Sequence, residues 1–310
     1  GSPVMNAALV ENKGVELSLN HRNTVGEFYY AVGLNLSHVK NNLEEIQTLT
    51  RQEITGFNPN GGGTITWAKE GKPIGSFYLI KTDGLFQSEE EIRNYTNSEG
   101  KIIQPKAKPG DVKFVDYNGD GQINASDQQY CGNPFPKLNM GLTLTGVYKG
   151  IDLNLFFDGN FGNKVFNSMR YSTSYMQNGI TNVSADVLNE WREDNRNTTM
   201  PRYTANDENQ NNQAITDRWL ENGSFFRLKT LELGYTFPSV WTDKIKFQKI
   251  RIYTAMENLF MATKYKGYNP DLGVNTSSVA NQDDMVMARG CDPGRYPTPR
   301  TFTFGLQVNF

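Results

Sequence analysis

Hydrophobic and polar residues alternate along seven stretches of the chain. Val15, Leu17 and Leu19 share one face, with Glu16, Ser18, Asn20 and Arg22 on the other. After a short connection, Phe28, Tyr30, Val32, Leu34 and Leu36 repeat the pattern against Asn35 and Ser37. Period-two alternation on both sides of a tight turn predicts an antiparallel hairpin. Two more alternating runs, Leu138–Tyr148 and Ile151–Asp158, are separated only by Lys149-Gly150. Phe225–Phe237 and Ile250–Leu259 form a third pair, and Thr301–Phe310 ends the chain with Phe302, Phe304, Leu306, Val308 and Phe310 on one face. These runs are about ten residues long, the length a membrane-crossing strand needs and longer than the five or six usual in soluble proteins.

Connection lengths divide by side. Between the runs they go short, long, short, long, short, long, with long stretches at about 41–137, 162–222 and 260–300. In an up-and-down sheet all the short turns then fall on one edge and all the long loops on the other, as in outer-membrane barrels. A soluble sandwich also alternates faces, but nothing in its construction sorts loops by length. Glu16, Arg22, Asp152, Asp158 and Glu232 all lie opposite the apolar rows. That suits a lipid-facing side, where a basic residue at mid-membrane costs about 2–4 kcal/mol. Arg227 and Lys229 share the parity of Leu231 and are expected near the outer end, where the cost is small. The fold class read from this is all-β: an antiparallel transmembrane β-barrel fragment with long extracellular loops. Within the loops, Thr64–Trp67 and Ser76–Ile80 read as short strands, and Ser88–Tyr95 and Ser184–Glu193 as helices.

Composition narrows the class. The chain has 310 residues, with 31 basic and 33 acidic side chains and a net charge of −2, so no basic stripe points to nucleic acid. Hydrophobic residues make up 37% and mean hydropathy is −0.59. No run approaches the ~18 apolar residues of a membrane helix, which leaves the barrel untouched because its strands alternate. Cys131 and Cys291 lie far apart in loop-like sequence, either as two thiols or as a disulfide at the cell surface. The opening GSPVMNAALVENKG reads as the middle of a longer protein.

One loop carries metal-binding chemistry. In DYNGDGQINASD, oxygen donors recur at Asp116, Asn118, Asp120, Gln122 through its carbonyl, Asn124 and Asp127, with Gly121 at the sixth position. This is EF-hand spacing with Asp in place of the final Glu, and hard oxygens at alternate positions suit a structural Ca²⁺. The same residues also favour a metal-free Asx-rich turn. His21 and His38 stand in separate strands, and no zinc, nucleophile-elbow or phosphate-loop motif is present. Two other readings stay open here: a secreted calcium-binding β-sandwich adhesin or carbohydrate-binding module, and a β-rich glycoside hydrolase. Tyr171, Tyr175, Trp191 and Trp219 are aromatics that either stack on sugars or pack inside the loops.

NKGVELSLN, DVKFVDYNGDGQINASDQQYCGNPFPKLNMGLTLTGVYKGIDLNLFFDGNFGNKVFN, GSFFRLKTLELGYTFP, AMENLF and YPTPRTFTFGLQVNF occur in this order. Together they resemble the C-terminal barrel region of SusC/RagA-type TonB-dependent outer-membrane transporters over nearly the whole chain. Cys131 departs from the aliphatic residue usual before Gly-Asn-Pro. The resemblance implies a barrel of about 22 strands with an N-terminal plug. It also implies a SusD/RagB-like surface lipoprotein as lid, the TonB complex as motor acting through the N-terminal part, and outer-membrane lipid around the wall. It implies no enzymatic step, but import of an oligosaccharide or peptide. Residues 1–310 would be one portion of such a receptor, with plug and remaining strands elsewhere, because open sheet edges are not tolerated in a membrane. Phe310 resembles the terminal aromatic used in barrel assembly.

Overall fold

The computed structural model describes residues 8–47, 53–59, 63–174, 182–204, 206–211, 214–273 and 286–310. Seven strands form one antiparallel sheet: β1 (Ala8–Val25), β2 (Phe28–Ile46), β3 (Leu138–Tyr148), β4 (Ile151–Phe161), β5 (Phe225–Thr236), β6 (Lys249–Thr263) and β7 (Thr301–Asn309). They pair strictly in sequence order, the up-and-down topology that the alternating connections predict. The turns explain the registers. Lys149 and Gly150 both have positive φ, as a type I′ hairpin requires, and Gly26 supplies the positive φ of the β1–β2 turn.

Register aligns the apolar rows. Val32, Leu144, Leu155, Leu231, Met256 and Phe302 are successive cross-strand partners from β2 to β7. Leu17, Leu19, Leu233, Phe304 and Leu306 lie on this face and are exposed. Among the described residues no second sheet covers it, which removes the sandwich reading. At the turn edge the face ends in a belt of aromatics: Phe28 meets Tyr148 edge-on at 6.5 Å, Tyr235 meets Phe237 at 5.1 Å, and Phe247 meets Phe310 at 5.5 Å. At the other edge Phe157 and Phe226 stack at 5.4 Å. Eleven residues of β4 at ~3.3 Å each, tilted by ~40°, rise about 28 Å, close to the ~25 Å apolar band of outer-membrane barrels.

Three expectations change. β1 and β2 are 18 and 19 residues long, not about ten, so the position expected to open the first loop, Asn41, lies inside β2. The helix expected over Ser184–Glu193 is only a 3₁₀ turn, Ala185–Asn189. Arg227 does not share the face of Leu231. The ladder skips Lys229 between Leu228 and Thr230, and opposite it Asn258 takes a left-handed φ of 54°. One extra residue reverses strand parity, so Arg227 swings to the polar face opposite Asp158. The helix expected at Ser88–Tyr95 is present as α1 (Glu89–Asn94), with the Ser88 hydroxyl accepting from the Glu91 N–H at 3.2 Å.

The long connections fold together into a cap. Ile65, Phe77 and Leu79 from the first, Phe166, Ile215 and Trp219 from the second, and Cys291 from the third make one buried cluster. Small sheets knit it: Glu53–Thr55, Thr66–Lys69, Ser76–Ile80 and Gln128–Gly132 in one, and Leu220–Asn222, Lys164–Asn167 and Cys291–Asp292 in another. Both cysteines are free: Cys291 is buried in this cluster and Cys131 packs against it.

Candidate functional site: polar wall and outer cap

The face opposite the apolar rows is mainly polar, with Ala31, Val147 and Phe156 among its polar groups. Across β1–β4 it carries hydrogen-bonded amides and hydroxyls among the charged Glu16 and Arg22: the Ser18 hydroxyl donates to Asn35 Oδ1 at 2.6 Å, and Thr145 Oγ1 to Asn154 Oδ1 at 2.9 Å. On β4–β6 it carries charges in closed sets. Arg251 donates to both carboxylate oxygens of Asp152, with Nε–Oδ1 at 3.0 Å, and to Glu232 Oε1 at 2.6 Å. Gly234 lets the guanidinium lie flat across β5, since a Cβ there would collide with Arg251 and Asp152. Arg227 donates to Asp158 at 2.8 and 2.5 Å and to Asp271 at 3.0 Å, tying the wall to the third loop.

In the cap, side-chain amides stand where strand neighbours would otherwise be. The strand Val112–Phe114 pairs on one side with Thr82–Leu85. On its other side Val112 N–H donates to Asn211 Oδ1 (2.7 Å) and Phe114 N–H to Gln104 Oε1 (2.8 Å), while the Val112 carbonyl accepts from Gln104 and Asn209. Asp111, fully buried, accepts from Arg202 at 2.5 and 3.2 Å and from Asn211 at 2.8 Å. Burial pushes the Asp217 carboxyl up, against two hydrogen bonds from Thr82, and pushes the Arg218 guanidinium down to about 10.

The loop Asp116–Asp127 lies beside this network. Asp116 accepts from Gly119 and Gly121 N–H, both at 2.8 Å, and Asn118 and Asp120 each accept from the N–H two residues on. Asp127 is fully buried and accepts from Tyr117 and Asn124 N–H at 2.9 and 2.8 Å. Gly121 has φ +76°, and a Cβ there would press on Asn97. Among the described residues, no three acidic, histidine or cysteine side chains are gathered into a metal-holding group. Gln122 and Asn124 continue from this loop into the wall of a cleft of about 860 Å³ between the first and second loops.

Three of the four aromatics singled out in the sequence pack inside the loops. Trp219 and Trp191 are buried, donating through Nε1 to the Ala214 carbonyl and to Gln87, and Tyr171 packs edge-on against Trp219 at 5.6 Å. Tyr175 lies outside the described residues. The cleft and the amide network were not anticipated. Asn209, Asn211 and Gln104 sit in polar, loop-like sequence, where such residues read as turn formers.

An open, up-and-down antiparallel wall with an exposed apolar face and a loop-built cap is the architecture of a membrane β-barrel segment, and the comparisons say which kind. TonB-dependent receptor P3 of Formosa agariphila is 31% identical over 313 residues, covering 100% of this chain and 30% of that receptor. TonB-dependent receptor SusC of Bacteroides thetaiotaomicron is 25% identical over 322 residues, covering 98% of this chain and 27% of that protein. A structure of the RagAB peptide transporter superposes with a TM-score of 0.71 at 23% identity, covering 98% of this chain and 30% of that one. No family model matches. The chain belongs to the SusC/RagA family of TonB-dependent receptors and spans about 30% of the length of the curated relatives it matches.

Proposed function

We propose that this chain is the C-terminal barrel wall and outer cap of a nutrient importer of the bacterial outer membrane. In this reading the wall closes with further strands into a barrel of about 22. A SusD/RagB-like lipoprotein covers the cap, and a plug coupled to TonB moves to admit an oligosaccharide or peptide. The carrying observation is the seven-stranded sheet with its apolar face uncovered and its polar side chains on the opposite face. The chain's own residues break no bond: they provide amides and hydroxyls with Glu16 and Arg22 among them on β1–β4, and self-neutralised charges on β4–β6. The test is oligomer uptake by cells whose only such receptor is the full-length protein. Uptake is expected to vanish when TonB is deleted; uptake persisting without TonB would refute the reading.

We further propose that Asp116, Asn118, Asp120, the Gln122 carbonyl, Asn124 and Asp127 hold a structural Ca²⁺. The hard oxygen donors, the positive φ at Gly121 and the spare lone pairs on each carboxylate suit the ion. Bound there, Ca²⁺ would offset the three carboxylates and stiffen the cleft wall. Calcium titration of the full-length receptor is expected to show a site with a Kd of about 10⁻⁴–10⁻³ M, lost on changing Asp116 and Asp120 to Ala. Undiminished binding by that variant would exclude this loop.

A further inference from the structure

The cleft between the first and second loops has a floor that includes the half-buried indole of Trp67 together with Ile80 and Phe114. Lys101 and Lys106 stand on one side, both exposed and both without an ion pair among the described residues. Gln122 and Gln210 bring carboxamides from the 116–127 loop and from the second loop. The lining holds one carboxylate, Glu208, which accepts from Asn206 at 2.8 Å.

Most of the backbone around the floor is closed to strand addition, the exception among the described residues being Gln128–Gly132, an edge strand with Ser76–Ile80 as its one sheet neighbour. Thr66–Lys69 and Ser76–Ile80 each have neighbours on both sides, and the outer edge of Val112–Phe114 is saturated by Gln104, Asn209 and Asn211. An extended peptide recognised through its main chain would need such an edge. What the cleft offers instead is an aromatic surface, side-chain amides and uncompensated positive charge.

We propose that this cleft binds a segment of an acidic oligosaccharide, with its carboxylate or sulfate groups at Lys101 and Lys106, a sugar ring against Trp67, and hydroxyls on Gln122 and Gln210. The proposal rests on the importer reading and adds the substrate class. Lysine acts here as a point charge on a flexible stem, which suits acidic groups at irregular spacing along a glycan.

The experiment measures binding to the purified full-length receptor by calorimetry. The probes are a short oligogalacturonate, a heparin-derived oligosaccharide, a neutral cello-oligosaccharide and a polyglutamate peptide of similar length. At least one acidic glycan is expected to bind in a salt-sensitive manner and more tightly than the neutral glycan or the peptide. Lys101→Gln with Lys106→Gln is expected to weaken it by about tenfold per lysine, the equivalent of one charge-assisted hydrogen bond each, while Arg at both positions restores it. Binding of neither acidic glycan, equal binding by the Gln variant, or preference for polyglutamate would overturn the proposal. TonB-dependent uptake in the wild type, unchanged in the Gln variant and accompanied by no acidic-glycan binding, would sink the cleft assignment and leave the importer standing.

Discussion

Replacing Asp111 with alanine is expected to unfasten the outer cap while the seven-stranded wall stays folded. Asp111 is fully buried and is the anion to which Arg202 is bound, and it also accepts from Asn211 and from the Lys108 N–H. Removing it leaves a partly exposed guanidinium and a buried amide without their acceptor, a loss of about 2–3 kcal/mol. Asn211 in turn holds Val112 N–H, so the free edge of that strand loses its substitute neighbour. Limited proteolysis of the full-length receptor should then cut the cap segments 100–127 and 182–211 readily, while the heat-dependent gel shift that reports barrel integrity is unchanged. A protected cap would mean that the apolar cluster around Phe77 and Trp219 suffices without the network.

A second large effect is expected at Arg251. Changed to Ala, it leaves Asp152 and Glu232 facing each other across the polar side of the wall with no counter-charge. Both carboxylates are partly exposed, which discounts the cost to about 2–3 kcal/mol. Gly234→Val should act in the same direction by displacing the guanidinium that lies across it. Because both changes break one contact, the double variant should be little worse than either alone. The readout is the urea midpoint of the folded receptor in detergent; full additivity would show that Gly234 and Arg251 act separately.

The wall was legible in the sequence because a sheet with one face to lipid must alternate without error. Val32, Leu144, Leu155 and Leu231 show this in their register. The reading failed at Arg227, where Lys229 and the left-handed Asn258 insert a bulge that alternation cannot reveal until the ladder is seen. The cap was legible only in fragments. Ser76–Ile80 and the Ser88-capped helix carry local signals. The remainder is held by contacts between distant segments, such as Phe166 beside Cys291 and Gln104 beside Asn209, that leave no periodic trace. The donor spacing of the 116–127 loop was visible at once; its second role, forming one wall of a cleft, depends on where the second loop lies.

The cap core also dictates an order of assembly. Its three contributing segments follow three different hairpins, and the strand Lys164–Asn167 receives its parallel neighbour, Cys291–Asp292, only near the end of the chain. Local hairpins close early, and pairings of high sequence separation come late. The cluster therefore stays incomplete until β5 and β6 have been laid down and the third loop brings Cys291 beside Phe166. During its passage through the periplasm the unfinished chain carries that apolar surface, and it is the interval in which a chaperone has the most to hold.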